Sequence, residues 1–368
     1  MKFAALADIA ELNPRQSARL SLSEPVAFVP MASVSAETAS TAGLTLRPYG
    51  EVAKGYTPMC NGDVLVAKIT PCFENGKIAH AVLPTSVGFG STEFHVVRAR
   101  SEAADARYLL HFLRQGSIRI EGERRMTGSG GQRRVPANFL AELRVPLPPL
   151  PEQRRIADVL DRAETLRAQR RQALAQLDAL AEAIFLDMFG DPKHNPKALT
   201  KQSIGSLVRF KSGDFLPASE MAGTGEFPVY GGNGVNGTHD RFLFDERRIV
   251  VGRVGAYCGC VHVSPANSWV TDNALYVSEM SNSVEFDYLV EALRLAKLND
   301  YASQSGQPLV SASRLYPVEV LVPPLDRQRA FVRRLACVSA LGIPVRASSE
   351  LLNALFASLQ HRAFRGEL

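Results

Sequence analysis

Several features that would place this chain in a specialised class are absent from its 368 residues. Its five cysteines are odd in number and scattered, which excludes a disulfide-stapled scaffold and favours reduced thiols and a cytoplasmic location. No apolar run approaches the ~20 residues of a membrane-spanning helix, so we expect no membrane partner. The N-terminus reaches an acid, Asp8, before any apolar segment forms, unlike a signal peptide.

Motifs of known catalytic sites are also missing. The sequence has no His-Glu-x-x-His and no Gly-x-Ser-x-Gly, and Asn13-Pro14-Arg15 lacks the second proline and the aromatic residue of the amino-methyltransferase signature. Cys258-Gly259-Cys260 does not have the two ligand pairs of a structural zinc site, and we interpret these cysteines as small buried residues. We therefore predict that this chain has no catalytic residues, no metal site and no bound cofactor.

One glycine-rich segment matches a nucleotide-binding pattern by its letters alone. Residues 232–237 read Gly-Asn-Gly-Val-Asn-Gly, which fits G-x-G-x-x-G. A dinucleotide site needs a helix immediately afterwards to hold the pyrophosphate, and residues 238–244 have no amphipathic helical pattern. We interpret 231–237, like 127–131, as a loop that exposes polar side chains.

Charge is close to balanced and unevenly distributed. The 42 Lys and Arg residues exceed the 37 Asp and Glu residues by five. The net charges of 1–150, 151–189, 190–325 and 326–368 are +4, −1, −2 and +4. A polyanionic partner would therefore have to be bound by local patches rather than by the charge of the whole chain.

The strongest pattern is an internal duplication with an offset of about 175 residues. Residues 145–154 match residues 320–329, and both segments contain Pro-Pro-Leu followed by Gln-Arg. Upstream, 131–135 match 306–310, 108–113 match 288–293, and 66–68 match 251–253, all in the same order. We infer two copies of one unit, each a globular domain followed by a helix.

The two helices carry the clearest local signal. After Pro151, apolar residues recur in steps of three and four and predict a helix over 151–189, ended by Gly190 and Pro192. The second copy, 326–368, repeats the apolar stripe, but Gly342 and Pro344 predict a break or kink. It also lacks about one helical turn relative to the first, so we expect unequal lengths. A long helix with one apolar stripe needs a partner, and the duplication favours an antiparallel pair with a pseudo-twofold.

The globular parts, 1–150 and 190–325, have the pattern of mixed α/β domains. Short apolar runs at 63–69 and 248–254 predict strands, and helical spacing at 105–115 and 285–298 predicts helices.

Side chains suited to nucleic acid remain after these exclusions. Lys and Arg contact phosphates and guanine edges, whereas Asn and Gln pair with adenine. The candidates in the first half are Lys54, Tyr56, Lys68, Asn75, Lys77, Arg124, Arg125, Gln132, Arg133 and Arg134. Those in the second half are Lys211, Tyr230, Asn233, Asn236, His239, Arg241, Arg253, Gln304 and Gln307.

Three segments resemble a known family. Residues 148–157 followed by a long helix ending in 184–192, the C-terminal residues 359–368, and the loop 227–234 are similar to the DNA-specificity subunit of type I restriction-modification systems. The resemblance implies an α+β fold, with two target-recognition domains joined by two long helices packed as an antiparallel coiled coil. It also implies a bipartite double-stranded DNA target, with the helices as the spacer. Because the two domains differ in sequence, we expect that target to be asymmetric.

The resemblance further implies partners that carry the chemistry. Two copies of a modification subunit would hold S-adenosylmethionine and methylate adenine, and a restriction subunit would join them. Two other functions remain open from the residues alone: a DNA-acting enzyme with an unrecognised site, and a coiled-coil scaffold without DNA. Salt-dependent DNA binding would separate the scaffold from the other two.

Overall fold

The computed structural model describes residues 2–16, 18–129, 131–221, 225–303 and 307–368. Its internal contacts divide the chain into two compact units, unit 1 (Met1–Ala173 with Val345–Leu368) and unit 2 (Leu174–Pro344). Both boundaries fall inside long helices, so each unit combines one globular part with segments of two helices. The four-segment division predicted at 150, 189 and 325 places its boundaries at helix ends instead, and stays a prediction.

The globular part of unit 1 contains ten strands and five short helices among the described residues. The strands are β1 (Phe3–Ala5), β2 (Ala10–Leu12), β3 (Pro25–Val29), β4 (Thr45–Pro48), β5 (Thr57–Cys60), β6 (Val64–Ala67), β7 (Ile78–His80), β8 (Val87–Gly90), β9 (Phe94–Ala99) and β10 (Arg144–Pro146). The helices are α1 (Leu6–Ile9), α2 (Tyr49–Val52), α3 (Ala106–Leu113), α4 (Gly116–Arg124) and α5 (Ala137–Glu142).

The globular part of unit 2 contains nine strands and three short helices in its described ranges. The strands are β11 (Lys201–Ser203), β12 (Val208–Ser212), β13 (Phe227–Gly231), β14 (Gly234–His239), β15 (Arg248–Gly252), β16 (Val261–Ser264), β17 (Trp269–Val270), β18 (Ala274–Met280) and β19 (Glu319–Leu321). The helices are α7 (Ile204–Leu207), α8 (Phe286–Leu295) and α9 (Ala312–Leu315). Two long helices, α6 (Leu150–Phe189) and α10 (Leu325–Ala363), contribute to both units.

The two units share a topology, which confirms the duplication inferred from the sequence. Each has an antiparallel two-stranded ladder, β1–β10 or β11–β19, and an antiparallel four-stranded sheet, β2-β9-β6-β7 or β12-β18-β15-β16. The central strands β6 and β15 are nearly continuous apolar runs because both of their faces are buried. The predicted strands at 63–69 and 248–254 and the predicted helices at 105–115 and 285–298 are present as β6, β15, α3 and α8.

A further sheet differs between the units. In unit 1 it has four strands in the order β4-β3-β8-β5, and in unit 2 it has three strands in the order β14-β13-β17. Both contain one parallel pair, β3 with β8 and β13 with β17. The units therefore keep a common frame and diverge in the sheet attached to it.

In each unit, the start of one long helix and the end of the other pack together in the apolar core of the globular part. In unit 1, Ile156 and Leu160 of α6 share a buried apolar cluster with Ala363 and Phe364 from the end of the chain. The Phe364 ring lies 5.2 Å from that of Tyr108. In unit 2, the apolar cluster instead contains the end of α6 and the start of α10.

The cluster of unit 2 is aromatic. Phe185 and Phe189, at the end of α6, lie 5.5 and 5.6 Å from Phe331 near the start of α10. Phe185 also stacks on Tyr288 of α8 at 5.6 Å. Such pairs add stability beyond their buried area. Within each unit the paired segments of α6 and α10 run antiparallel, as the duplication predicts.

The apolar stripe of α6 is interrupted at Arg167, which has partners inside unit 1. Arg167 Nε donates to Asn353 Oδ1 of α10 at 2.7 Å, and its guanidinium lies 4.5 Å from the centroid of the Phe356 ring. Arg167 Nη1 also donates to Glu164 Oε2 at 2.7 Å. The interruption is therefore a polar contact between two helices rather than a gap in their packing.

Three sequence predictions about the helices need correction. α10 runs through Pro344, so the predicted break is wrong, whereas the alternative, a kink at Gly342 and Pro344, stays a prediction. α6 and α10 contain 40 and 39 residues, so the expected one-turn difference is wrong. α10 also contains a window of mean hydropathy 1.3 that is long and apolar enough to span a membrane by length and composition, contrary to the expectation that no such stretch exists.

Candidate nucleic-acid interface

A cation stands at the same place in both units, directly after the central strand. In unit 1, the Lys68 amide donates to Glu93 O at 2.9 Å, and Lys68 O accepts from the Val135 amide at 2.8 Å. In unit 2, the Arg253 amide donates to Asn273 O at 2.9 Å, and Arg253 O accepts from the Val310 amide at 2.8 Å. The correspondence predicted between 66–68 and 251–253 therefore holds at the level of backbone hydrogen bonds.

The loop that reaches Lys68 brings three more candidates to the same surface of unit 1. The Thr70 amide donates to Arg133 O at 2.9 Å, and Arg134 forms isolated β-bridges with Ile69 and Thr127. Gln132 and Arg133 are exposed beside them. Residues 132–134 and Lys68 thus form one polar surface, although 64 positions separate Lys68 from Gln132.

A cavity of about 270 Å³ lies next to this surface. Tyr56 and Lys68 line it together with Asn13 and His95. The Tyr56 ring packs edge-on against Phe28 at 5.1 Å, which fixes its position at the rim. Aromatic and cationic side chains around one concave surface suit a nucleic-acid base and its phosphate.

His95 is held neutral in the wall of this cavity. Its Nε2 lies 2.8 Å from Val135 O and its Nδ1 lies 3.3 Å from Asn13 Nδ2. Burial lowers the pKa of His95, while the hydrogen bond to Val135 opposes that shift. The two contacts require an Nε2–H imidazole that accepts from Asn13. In unit 2 the equivalent strand position is the buried Leu275, so this polar pair belongs to unit 1.

The other candidates of unit 1 are not gathered at that surface. Lys54 and Arg124 are exposed, and Asn75 lines a separate cavity of about 100 Å³. Lys77 Nζ donates to Met31 O at 3.0 Å. Arg125 pairs with Glu121 at 2.9 Å. Among the described residues, these two side chains pair with Met31 and Glu121 and not with Lys68 or residues 132–134, so we leave both out of the proposed interface.

In unit 2, the glycine-rich segment is a tight hairpin rather than the predicted loop. β13 and β14 pair directly, so only Gly232 and Asn233 form the turn. A Cβ on Gly232 would lie 3.6 Å from Gly252 Cα, which places the turn against the end of β15. No helix follows the segment, in agreement with the rejection of a nucleotide site.

Three candidates of unit 2 meet around that turn. Asn233 is exposed at its tip, and Arg253 follows β15 directly. Gln307 is exposed, and its Nε2 lies 3.5 Å from where a Cβ on Gly255 would be. Arg253 Nη1 donates to Ser212 Oγ at 3.2 Å, which orients the guanidinium. The surface combines one cation with two amides.

The remaining candidates of unit 2 have varied environments. Lys211, Asn236 and Arg241 are exposed, whereas Tyr230 packs against a small apolar cluster. His239 is only 7% exposed, its Nδ1 lies 3.1 Å from Glu220 O, and its ring is edge-on to Trp269. We leave His239 out of the proposed interface because its side chain is buried. Gln304 lies outside the described residues.

Two observations on the described ranges bear on metal binding and on thiol chemistry. Groups of three or more His, Cys, Asp or Glu side chains that could hold a metal ion are absent from those ranges. Burial raises the pKa of Cys258, the opposite of what an activated thiol needs. The cysteines of the Cys258-Gly259-Cys260 segment are buried or half-buried, in line with their interpretation as packing residues.

The whole chain was compared with known proteins. The family model described as "Type I restriction modification DNA specificity domain" matches residues 1–177 and 196–343. The chain belongs to this family. It is 38% identical over 180 residues to the EcoAI specificity subunit and 39% identical over 176 residues to the EcoEI specificity subunit, both type I restriction enzymes of Escherichia coli.

These alignments cover 48% and 47% of this chain but only 30% of each relative, so the chain spans less than a third of the length of the curated relatives it matches. Among solved structures, the type I restriction-modification S subunit of M. genitalium covers 99% of this chain and 96% of its own, with a TM-score of 0.58 and 14% identity.

A chain from a study of assembly and conformational transition in the type I R-M system gives a TM-score of 0.51 at 19% identity, with 100% and 98% coverage. These two likenesses establish the fold. Together with the internal topology they confirm the predicted α+β class, with two domains of similar topology and two long helices.

Proposed function

We propose that this protein is the DNA-reading specificity subunit of a type I restriction-modification complex. Each unit reads one part of an asymmetric bipartite site on double-stranded DNA. The observation that carries the proposal is the matching pair of backbone hydrogen bonds at Lys68 in unit 1 and Arg253 in unit 2, which puts a cation at the equivalent position of each unit. The loops and sheets around the two cations differ, so the two half-sites are expected to differ.

The chemistry of the two surfaces supports contact with DNA. Lys68 and Arg133 in unit 1, and Arg253 in unit 2, would neutralise phosphates in this interface, and such contacts supply affinity without sequence information. Gln132, Asn233 and Gln307 have amides suited to base edges, adenine above all. A cation flanked by amides on one surface meets both requirements.

Exposed apolar side chains on the long helices support protein partners. On α10, Leu341, Ile343, Leu351 and Leu355 are 49–72% exposed. Exposed large apolar side chains on a helix mark an interaction surface. Contact with partner subunits would explain why α10 has a segment of high mean hydropathy, with no need for a membrane. We propose that two modification subunits dock on the helices, that a restriction subunit joins them, and that the helices fix the gap between the half-sites.

The division of labour follows from these proposals. The modification subunits hold S-adenosylmethionine and methylate adenine, and this chain contributes neither a cofactor nor a catalytic residue. The complex works in the cytoplasm, where the five cysteines of this chain stay reduced.

The experiment is to express the chain with its modification subunit and measure DNA binding and methylation. Binding should weaken steeply between 50 and 200 mM salt, approximate limits suited to several phosphate contacts. Methylation should need both proteins. Methylation by the chain alone would favour a DNA-acting enzyme, and salt-insensitive or absent binding by the complex would favour a scaffold.

A further inference from the structure

Glu93 and Arg134 form a forked ion pair at the proposed interface of unit 1. Arg134 Nε donates to Glu93 Oε2 at 2.9 Å, and Arg134 Nη2 donates to Glu93 Oε1 at 2.8 Å. The Glu93 carboxylate is 24% exposed and the Arg134 side chain 41% exposed. The hydrogen bond from Arg134 lowers the pKa of Glu93, so the carboxylate stays charged near neutrality.

The fork leaves one edge of the guanidinium available. Glu93 occupies Nε and one N–H of Nη2, while Nη1 has only a long contact, 3.3 Å, to Gln132 O. The end edge, formed by Nη1 and the second N–H of Nη2, has two parallel donors. Two parallel donors match O6 and N7 of guanine in the major groove.

Unit 2 has neither member of this pair. Asn273 accepts from the Arg253 amide where Glu93 accepts from the Lys68 amide. Leu309 precedes Val310 where Arg134 precedes Val135. The common backbone frame therefore presents a braced guanidinium in unit 1 and an uncharged amide and an apolar side chain in unit 2.

We propose that Arg134, braced by Glu93, reads one guanine in the half-site of unit 1. Glu93 acts as a positioning residue: it holds the guanidinium plane so that fewer side-chain conformations are lost when the two base contacts form. The inference rests on the proposed function, because it assigns a base to a surface that must first contact DNA.

Substitution of Glu93 separates this role from simpler ones. Glu93→Gln removes a negative charge near DNA, so generic attraction to phosphates should rise. The selectivity for guanine should fall at the same time, because the guanidinium is no longer held. A pair that only stabilised the fold would lower the melting temperature and leave selectivity unchanged, and a guanidinium that only touched phosphate would weaken binding to all sequences alike.

The test uses the complex with its modification subunit, on DNA whose two half-sites are first defined by sequencing methylated bases. Competition binding then compares the cognate duplex with duplexes in which each guanine is replaced by adenine or by 7-deazaguanine, which lacks N7. Wild type should prefer guanine at one position of one half-site by about tenfold or more. Glu93→Gln, Glu93→Ala and Arg134→Lys should each lose most of that preference and leave the other half-site unchanged.

The control is Glu121→Gln, which breaks the exposed Glu121–Arg125 pair elsewhere in unit 1 and should keep the full preference. Unchanged selectivity at every guanine in all three test variants, with melting temperatures like wild type, would overturn the assignment while leaving the proposed function intact. Absence of any sequence preference in the wild-type complex would instead overturn the proposed function, and the assignment with it.

Discussion

Gln153 and Gln328 lie 175 positions apart and make the same three hydrogen bonds in their own units. Gln153 Oε1 accepts from the Asp105 amide, and its Nε2 donates to Ala103 O and Pro148 O, at 2.9 to 3.0 Å. Gln328 repeats the three bonds to backbone groups of Glu285, Ser283 and Pro323, at 2.7 to 3.0 Å.

Both glutamine side chains are 0% exposed. Each joins the start of a long helix to the N-terminus of α3 or α8. A nearby tyrosine hydroxyl adds a second link, from Tyr108 to Pro146 O and from Tyr288 to Leu321 O, both at 2.8 Å. The repeated sequence segment is therefore a joint that fixes a helix to its globular part.

Replacing Gln153 by alanine should destabilise unit 1. The change leaves the half-buried Asp105 N–H and two half-buried carbonyls without their partner, and each such group costs up to about 1–3 kcal/mol where water does not replace the partner. We expect a loss of about 3 kcal/mol or more in the unfolding free energy, measured by denaturant titration. The control is Gln172→Ala on the exposed side of the same helix, which should change stability little. Equal effects of the two variants would contradict the joint.

Lys68→Ala and Arg253→Ala should each weaken DNA binding by the assembled complex. If each cation neutralises one phosphate, the slope of log K against log salt should fall by about one per substitution. Lys201→Ala, at an exposed strand position of unit 2 outside the proposed surface, is the control. A salt slope that stays at the wild-type value in both variants would remove these cations from the interface.

The free energy of unfolding should fall as the pH falls, because protonation of His95 favours the unfolded chain. Burial lowers the pKa of its folded state, so the unfolded chain takes up a proton first, below about pH 6.5. The stabilisation is therefore present above that pH and is lost as pH falls towards the folded pKa. His95→Gln should flatten the dependence of melting temperature on pH between about 7 and 5. His80 has a pKa lowered by burial too, so some dependence should remain. Identical pH profiles would argue against a neutral buried His95.

Lengthening α6 tests the proposed spacer. Four residues inserted after Ala168 add about 6 Å of helix, close to two base pairs of DNA. The methylated sites should then show a changed gap and unchanged half-sites. Altered bases within either half-site would show that the helix takes part in reading sequence instead.

The sequence predicted the elements whose signals are local and periodic. The apolar steps after Pro151 predicted α6, and the apolar runs predicted β6 and β15, because burial of one stripe or two faces leaves a direct pattern. The internal duplication also identified equivalent positions in the two halves where the side chains differ, such as Lys68 and Arg253.

Contacts between distant residues left no such pattern. Glu93 and Arg134 are 41 positions apart, and neither stands in a recognisable motif. The hairpin at Gly232 and Asn233 was predicted as a loop because glycine suggests irregular backbone, although a two-residue turn uses the same residues. α10 continues through Pro344 because most of its backbone hydrogen bonds do not involve the proline, a property of the whole helix that the local Gly342 and Pro344 pattern does not show.

We propose that two unlike domains in one chain recognise the two halves of one DNA site. Sequencing of methylated bases in cells that express this chain with its modification subunit tests this proposal most directly. We expect one motif made of two different half-sites separated by a constant gap, and the loss of base preference in only one of them when Arg134 is replaced by lysine. A single uninterrupted motif, or two identical half-sites, would contradict it.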